Sequence, residues 1–225
     1  VWAVFLVLPL FPAIMGTLNY LGNLEILDNG WYSLWSQHTI FSASFFMPAQ
    51  FGVFCAWQWR LEHTDHNWNS LMTAPVPVRD LYWSKFLLAA GVAVLGQVCI
   101  GVLYLLSGQL AGVSGGLPLQ LAGWMFFGAL GGMAVCAVQL FLSLVIRSFA
   151  PPVALGLVGG IAGLVMTSQG AGLYCPYSLL CLGMRANNPN LSLEVGPFVL
   201  ACGVCIALFS FLTIRCMAGR DVTTG

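Results

Sequence analysis

LEHTDHNWNSLMTAPVPVRDLYWSK, Leu61 to Lys85, is a polar island between two apolar runs. It holds Glu62, Asp65, Arg79, Asp80 and Lys85, in a chain of 225 residues with only 7 acids and 7 Lys or Arg. Two of the 3 histidines, His63 and His66, also lie here. The whole chain is 59% hydrophobic and 6% charged, against roughly 25% charged in soluble domains. So little charge cannot cover a water-facing surface, so the surrounding solvent is lipid. A net charge of zero speaks against a nucleic-acid partner. No polar insert is long enough to fold alone, so residues 1–225 read as a single transmembrane domain.

Outward from the island, apolar runs can be counted against a bilayer core of about 30 Å, which takes about 20 residues per helix. Six runs qualify: Val1 to about Tyr20, Thr39 to Trp59, Leu81 to Ser107, Leu119 to Ile146, Ala150 to Ser168, and Val195 to Cys216. They are continuous rather than alternating, which predicts an all-α polytopic membrane protein and not a β-barrel. Six spans place Arg60, Arg79, Lys85, Arg147, Arg215 and Arg220 on one side. The other side receives Arg185 with the acids Glu25, Asp28 and Glu194. The positive-inside rule makes the first side cytoplasmic, with both termini there. Val1 is not a Met, and VWAVFLVLPLFPAIMG lacks the basic start of a signal peptide. The expectation is that a natural N-terminal cytoplasmic segment precedes it.

Trp31, Trp35, Trp57, Trp59, Tyr82, Trp83, Tyr174 and Tyr177 fall near the predicted span ends, where amphipathic rings favour the interface. GALGGMA at 128–134 and GLVGGIAG at 156–163 space small residues three to four apart. That spacing permits close helix approach, either within this chain or against a second subunit. Residues 169–194 are too apolar for a free loop and are expected to form an extracytoplasmic loop or a re-entrant segment buried by protein. Cys175 and Cys181 lie in it, and a disulfide between them is one option. Cys202 and Cys205 sit within the last run without polar neighbours, as small apolar residues.

The island, residues 60–80, is then a cytoplasmic loop with internal order. Thr64 suits an N-cap, with Asp65 in the first turn. Trp68, Leu71 and Met72 share one helical face, and Pro75 and Pro77 end the helix. A helix of about ten residues is marginal alone, so its apolar face needs a surface. Three surfaces are open: the membrane itself, a metal held by Glu62, His63, Asp65 and His66, or the groove of a partner protein.

The ordered pieces Glu62-His63, Asn67-Trp68-Asn69, Leu71-Met72-Thr73 with Pro75, Leu81-Tyr82 and Lys85-Phe86 resemble type-2 ABC transporter permeases of the lantibiotic-immunity and bacitracin-resistance kind. LGNLEIL (21–27), WYSLWSQ (31–37) and FFMPAQFG (45–52) extend the resemblance over most of the chain. It implies six helices with both ends inside a bacterial cytoplasmic membrane. It also implies a short coupling helix between helices 2 and 3 that docks on an ABC ATPase. Two permease subunits, identical or sister chains, and two ATPase copies complete the assembly. Glu62, His63, Asp65, His66, Asn67, Trp68, Leu71, Met72, Pro75 and Arg79 would make the docking contact.

The chain has no ATP site of its own. Its one lysine, Lys85, is followed by Phe86, whereas a P-loop needs Ser or Thr there. ATP and Mg therefore belong to the partner ATPase, and this chain needs no cofactor. GVSGG at 112–116 offers Ser114 as a nucleophile, but no histidine follows His66 to serve as its base. Asn19, Gln50, Gln58, Gln97 and Gln139 lie in the apolar runs and each needs a partner in lipid. Asn19, Asn23, Glu25, Asp28, Gln50, Gln97 and Gln139 are the candidates for a substrate path, with the outer acids suited to a cationic peptide antibiotic. Two other functions stay open: an ABC permease for a lipid or other drug, and a channel-like membrane protein outside the ABC class.

Overall fold

The computed structural model describes residues 7–63, 75–190 and 192–219, the His63 side chain excepted. Among them there is no strand. The helices are α1 (Leu10–Gly22), α2 (Gly30–Phe41), α3 (Met47–His63), α4 (Val78–Leu110), α5 (Leu121–Val145), α6 (Ala150–Ser168), α7 (Pro176–Met184) and α8 (Val195–Ala218). A π-helical turn, Ser42–Phe46, joins α2 to α3 without a break. Among the described residues five helices are long and apolar enough to cross a membrane: Gly30–Glu62, α4, α5, α6 and α8. The sequence predicts six spans. The described part of α1 has 13 residues, about 20 Å at 1.5 Å per residue, and Val1–Leu6 of that predicted span lie outside the described residues.

Four of the predicted spans match their helices to within three residues at each end. The second does not: the helix starts at Gly30 rather than Thr39. Residues 31–39 read as an interfacial stretch because Ser33, Ser36, Gln37 and Thr39 depress the hydropathy. In the fold those hydroxyls bond back to their own helix. Ser36 donates to the Ser33 carbonyl, Thr39 to that of Trp35 and Ser42 to that of His38, at 2.7, 2.7 and 2.8 Å. Such hydroxyls present little polarity outward, since their protons are taken by their own helix.

Trp35 and Trp59, expected at the interface, are instead enclosed in protein. Each indole donates to a carbonyl on another helix: Trp35 to Met184 (2.8 Å) and Trp59 to Leu140 (2.9 Å). Trp35 also stacks on Trp124 and meets Tyr104 edge-on. These aromatic anchors align α2–α3, α4 and α5 along their lengths.

α5 is the hub, touching α3, α4, α7 and α8. Its glycines admit α7. A Cβ at Gly131 would overlap the Leu179–Leu180 backbone. The glycines of α6 do the same for α3. Pro48 lacks the N–H that would bond the Ser44 carbonyl, and its ring crowds that carbonyl. The helix widens here, and Met47 N–H reaches back to Ser42 O. Gly160 then closes directly over the Ser44 carbonyl, with no room for a Cβ. Both glycine stretches therefore pack within the chain, one of the two alternatives the spacing allowed.

Residues 169–194 contain α7, in which Ser178 to Met184 are all buried. Arg185 follows in the left-handed region (φ 55°) and is itself buried, its guanidinium returning to the Leu182 carbonyl at 2.6 Å. It closes the negative end of its own helix, and burial lowers its pKa from the ordinary value. All eight cysteines, Cys175 and Cys181 included, are free thiols.

Candidate functional site at the root of the 64–74 connection

α2–α3 and α4 each run 33 residues to or from the connection 64–74, about 50 Å apiece. That leaves about 20 Å beyond a hydrocarbon core for the polar turns at their ends. The two rods are tied together where the connection leaves them. Lys85 Nζ lies 2.7 Å from Glu62 Oε1, with the two side chains only 9% and 21% exposed. The same ammonium donates to the Gln58 carbonyl at 3.2 Å and sits 5.0 Å from the Trp59 ring centroid. Trp59 in turn is held by α5 through Leu140. One turn earlier on α4, the Tyr82 hydroxyl meets Ser210 Oγ of α8 at 2.6 Å.

This clasp is polar chemistry in an apolar wall. A lysine buried this deeply is stable only with a counter-charge and its remaining protons bonded. Glu62 supplies the charge, the Gln58 carbonyl takes a second proton and the Trp59 face adds a cation–π contact. Removing any partner leaves charge behind, so α3 and α4 are fastened at one point rather than merely adjacent.

Of the docking residues expected from sequence, Glu62 is in this clasp. His63 ends α3. Pro75 is exposed at the return of the chain. Arg79 is exposed and pairs with its neighbour Asp80 at 3.6 Å, a surface contact worth little. Asp65, His66, Asn67, Trp68, Leu71 and Met72 lie outside the described residues. Lys85, Gln58, Trp59, Tyr82 and Ser210 carry the geometry and were not selected as site residues. A signal existed for one of them: a single lysine inside a predicted lipid-spanning run demands an acid nearby.

The path candidates separate into different settings. Asn19 donates to Gln37 at 2.6 Å, and Asn23 donates back to Asn19. Beside them the buried His38 places Nε2 between Thr17 Oγ1 (2.9 Å) and Ser107 Oγ (3.1 Å). Both hydroxyls also reach backbone carbonyls, and the buried Nδ1 has no partner among the described residues. Glu25 and Asp28 are exposed on the α1–α2 connection. Gln139 is fully buried and bridges three helices. Its oxygen accepts from the Tyr177 hydroxyl (2.9 Å) and Gly156 N–H (3.1 Å), and its nitrogen donates to Pro152 O (3.2 Å). Gln97 has only a weak donation to Met47 sulfur at 3.8 Å. Gln50 is buried against an apolar groove.

A sequence model of the family described as ABC-2 family transporter protein matches residues 1–163. The match covers most of the chain, from before α1 into α6, and the chain belongs to this family. No curated protein and no solved structure matches it.

Proposed function

We propose that this ABC-2 family chain is the permease subunit of an ATP-driven exporter that confers immunity or resistance to a membrane-acting peptide antibiotic, lantibiotic- or bacitracin-like. The observation that carries the transport mechanism is the Lys85–Glu62 clasp. A separate ATPase, two copies binding ATP and Mg, would dock on the connection 64–74 through Trp68, Leu71 and Met72. Glu62, His63, Asp65, His66, Asn67, Pro75 and Arg79 would frame that contact. Because the clasp joins α3 to α4 at the base of the connection, a push there moves two stiff rods together. The tilt then reaches the far ends of both rods and changes access between the two subunits of the permease.

In this reading α1 completes a sixth span, both termini lie in the cytoplasm, and the membrane is the bacterial plasma membrane. Of the described cations all but Arg185, namely Arg60, Arg79, Lys85, Arg147 and Arg215, fall at the clasp end of the helices, which supports that orientation. Residues 169–194 would dip back into the bilayer from outside as a re-entrant segment. The exposed Glu25 and Asp28, beside the amides of Asn19 and Asn23, suit a cationic peptide approaching from outside. A lipid or drug cargo is the second reading, favoured by the lateral groove at Gln50.

The test is copurification of the detergent-solubilised chain with the ATPase encoded beside it, next to a Trp68→Ala/Leu71→Ala variant. The expected result is an ATPase retained by the native chain and lost from the variant. Failure of any ATPase to bind the folded native chain would overturn the exporter reading. Equal binding to both would move the docking contact off the 64–74 face.

A further inference from the structure

Two of the described cations are buried, Lys85 and Arg185, and they are treated differently. Lys85 has Glu62, the Gln58 carbonyl and the Trp59 face. Arg185 is 8% exposed and forms no ion pair among the described residues. Glu194, the nearest acid along the chain, is exposed. Of the guanidinium's N–H donors, one is spent, on the Leu182 carbonyl at 2.6 Å. The end of α7 answers about half a charge; the rest of the charge and the other donors are left over. None of the guanidinium nitrogens is among the fully enclosed unbonded atoms, so the unspent donors open outward. Arg185 also takes the left-handed position after α7 (φ 55°). Glycine fills that position at less cost, so ending the helix does not by itself call for an arginine.

Depth says what can answer it. The Trp35 indole donates to the carbonyl of Met184, next to Arg185, and stacks on Trp124 of α5. Trp35 and Glu62 lie toward opposite ends of the continuous Gly30–Glu62 helix, about 40 Å apart, so Arg185 belongs to the end away from the clasp. That helix is about 50 Å long and emerges about 10 Å on each side of a hydrocarbon core of about 30 Å. Trp35 stands about 7 Å from its first residue, just outside the hydrocarbon. α5, about 37 Å long, emerges about 4 Å on each side, and Trp124 is about 4 Å from its start. Both helices place Arg185 level with the lipid headgroups. Water there can bond the free donors but brings no counter-charge. A phosphate brings both, and its oxygens match the planar fork of N–H groups. Basic positions between spans hold lipid phosphates in this way. We propose that Arg185 binds the phosphate of an anionic phospholipid at the end of the bundle opposite the clasp. That this is the outer leaflet rests on the orientation proposed above; the binding itself does not.

The experiment titrates the full chain, in detergent micelles, with dioleoylphosphatidylglycerol and follows the first lipid adduct by native mass spectrometry. Dioleoylglycerol, with the same tails and no phosphate, and inorganic phosphate are the controls. The phospholipid is expected to bind saturably and dioleoylglycerol is not. Arg185→Gly should weaken the first adduct about 10- to 100-fold, the worth of one charge-assisted hydrogen bond. Arg185→Lys keeps the charge without the fork and should fall between the two. In lipid-free micelles Arg185→Gly should keep the native elution profile and melting temperature, because glycine relieves the left-handed backbone as the bond to Leu182 is lost. Arg147→Gln removes an exposed cation at the clasp end and should leave the first adduct unchanged. Equal binding of phospholipid and dioleoylglycerol overturns the proposal. So does native affinity in either Arg185 variant, the result of a purely structural helix cap, or an equal loss in Arg147→Gln, the result of general charge attraction. Inorganic phosphate bound as tightly as the lipid would make free phosphate the ligand and overturn the headgroup assignment. No ATPase is present, so the outcome is separate from the copurification. Lipid binding without a docking ATPase keeps the site and removes the exporter, and the reverse keeps the exporter and removes the site.

Discussion

Lys85→Met is the sharpest perturbation the structure offers. At 2.7 Å from Glu62, the gross attraction is about 6 kcal/mol for an effective dielectric of about 20. Most of that is offset by desolvating the two charges, so the pair itself contributes little net stability. Breaking it is different, because the carboxylate left behind has lost its partner in a largely apolar setting. Buried pairs lose about 3–5 kcal/mol on such truncation. Glu62 is about one-fifth exposed and can turn toward water, which places Lys85→Met at about 2–3 kcal/mol, at or just below the lower end of that range. Glu62→Gln should lose less, since Lys85 keeps the Gln58 carbonyl and the Trp59 face. Lys85→Met/Glu62→Leu removes both charges and should recover part of the loss, with a coupling of about 1.5–3 kcal/mol in the cycle. Reversible unfolding in mixed micelles measures all four proteins. Additivity within about 0.5 kcal/mol would show that the two groups do not act as a pair and would refute the clasp. In the assembled transporter the double variant should bind its ATPase yet transport poorly, because the rods are stable but no longer fastened.

Glycine substitutions test the packing of α5 and α6. Gly131→Ala and Gly160→Ala push a Cβ into backbone atoms and should lower stability by about 1–3 kcal/mol. Gly91→Ala and Gly203→Ala meet nothing within 4 Å and should be neutral or gain up to about 1 kcal/mol of helix propensity; melting temperatures in one detergent compare all four. Tyr82→Phe and Ser210→Ala each delete the 2.6 Å bond between α4 and α8, at about 1 kcal/mol apiece. Their double variant should fall well short of the sum, as a double-mutant cycle would reveal. Gln139→Leu leaves the Tyr177 hydroxyl and the Pro152–Gly156 backbone without their bridge. A loss of about 1–3 kcal/mol follows, and amide hydrogen exchange should rise at Gly156.

The membrane class, four helix positions and the segregation of cations were legible in the chain itself. Each is a local or additive property: run length, charge content, spacing of apolar residues. The start of the second span was misread for a physical reason. Hydropathy counts Ser36 and Thr39 as polar, whereas in this helix their hydroxyls bond carbonyls one turn back and present little polarity outward. That Trp35 and Trp59 turn inward against protein was likewise not legible. An indole suits an interface and a buried carbonyl equally well, and composition does not say which is offered.

Sequence alone determined that this chain lives in lipid, as a bundle of helices with its scarce charge gathered at helix ends, because an apolar run has only one solvent in which it is stable. Tertiary structure decided what each polar group inside that bundle meets. Lys85 finds Glu62, 23 positions away, and the Trp35 indole finds the Met184 carbonyl, 149 positions away. Gln139 is taken up by the α6 backbone, while Gln97 keeps only a weak donation to the Met47 sulfur. In the spans every unbonded polar atom is penalised, and the partner that relieves it is set by how whole helices cross. No local pattern of residues encodes that crossing, which is why two glutamines alike in the sequence ended with such different partners.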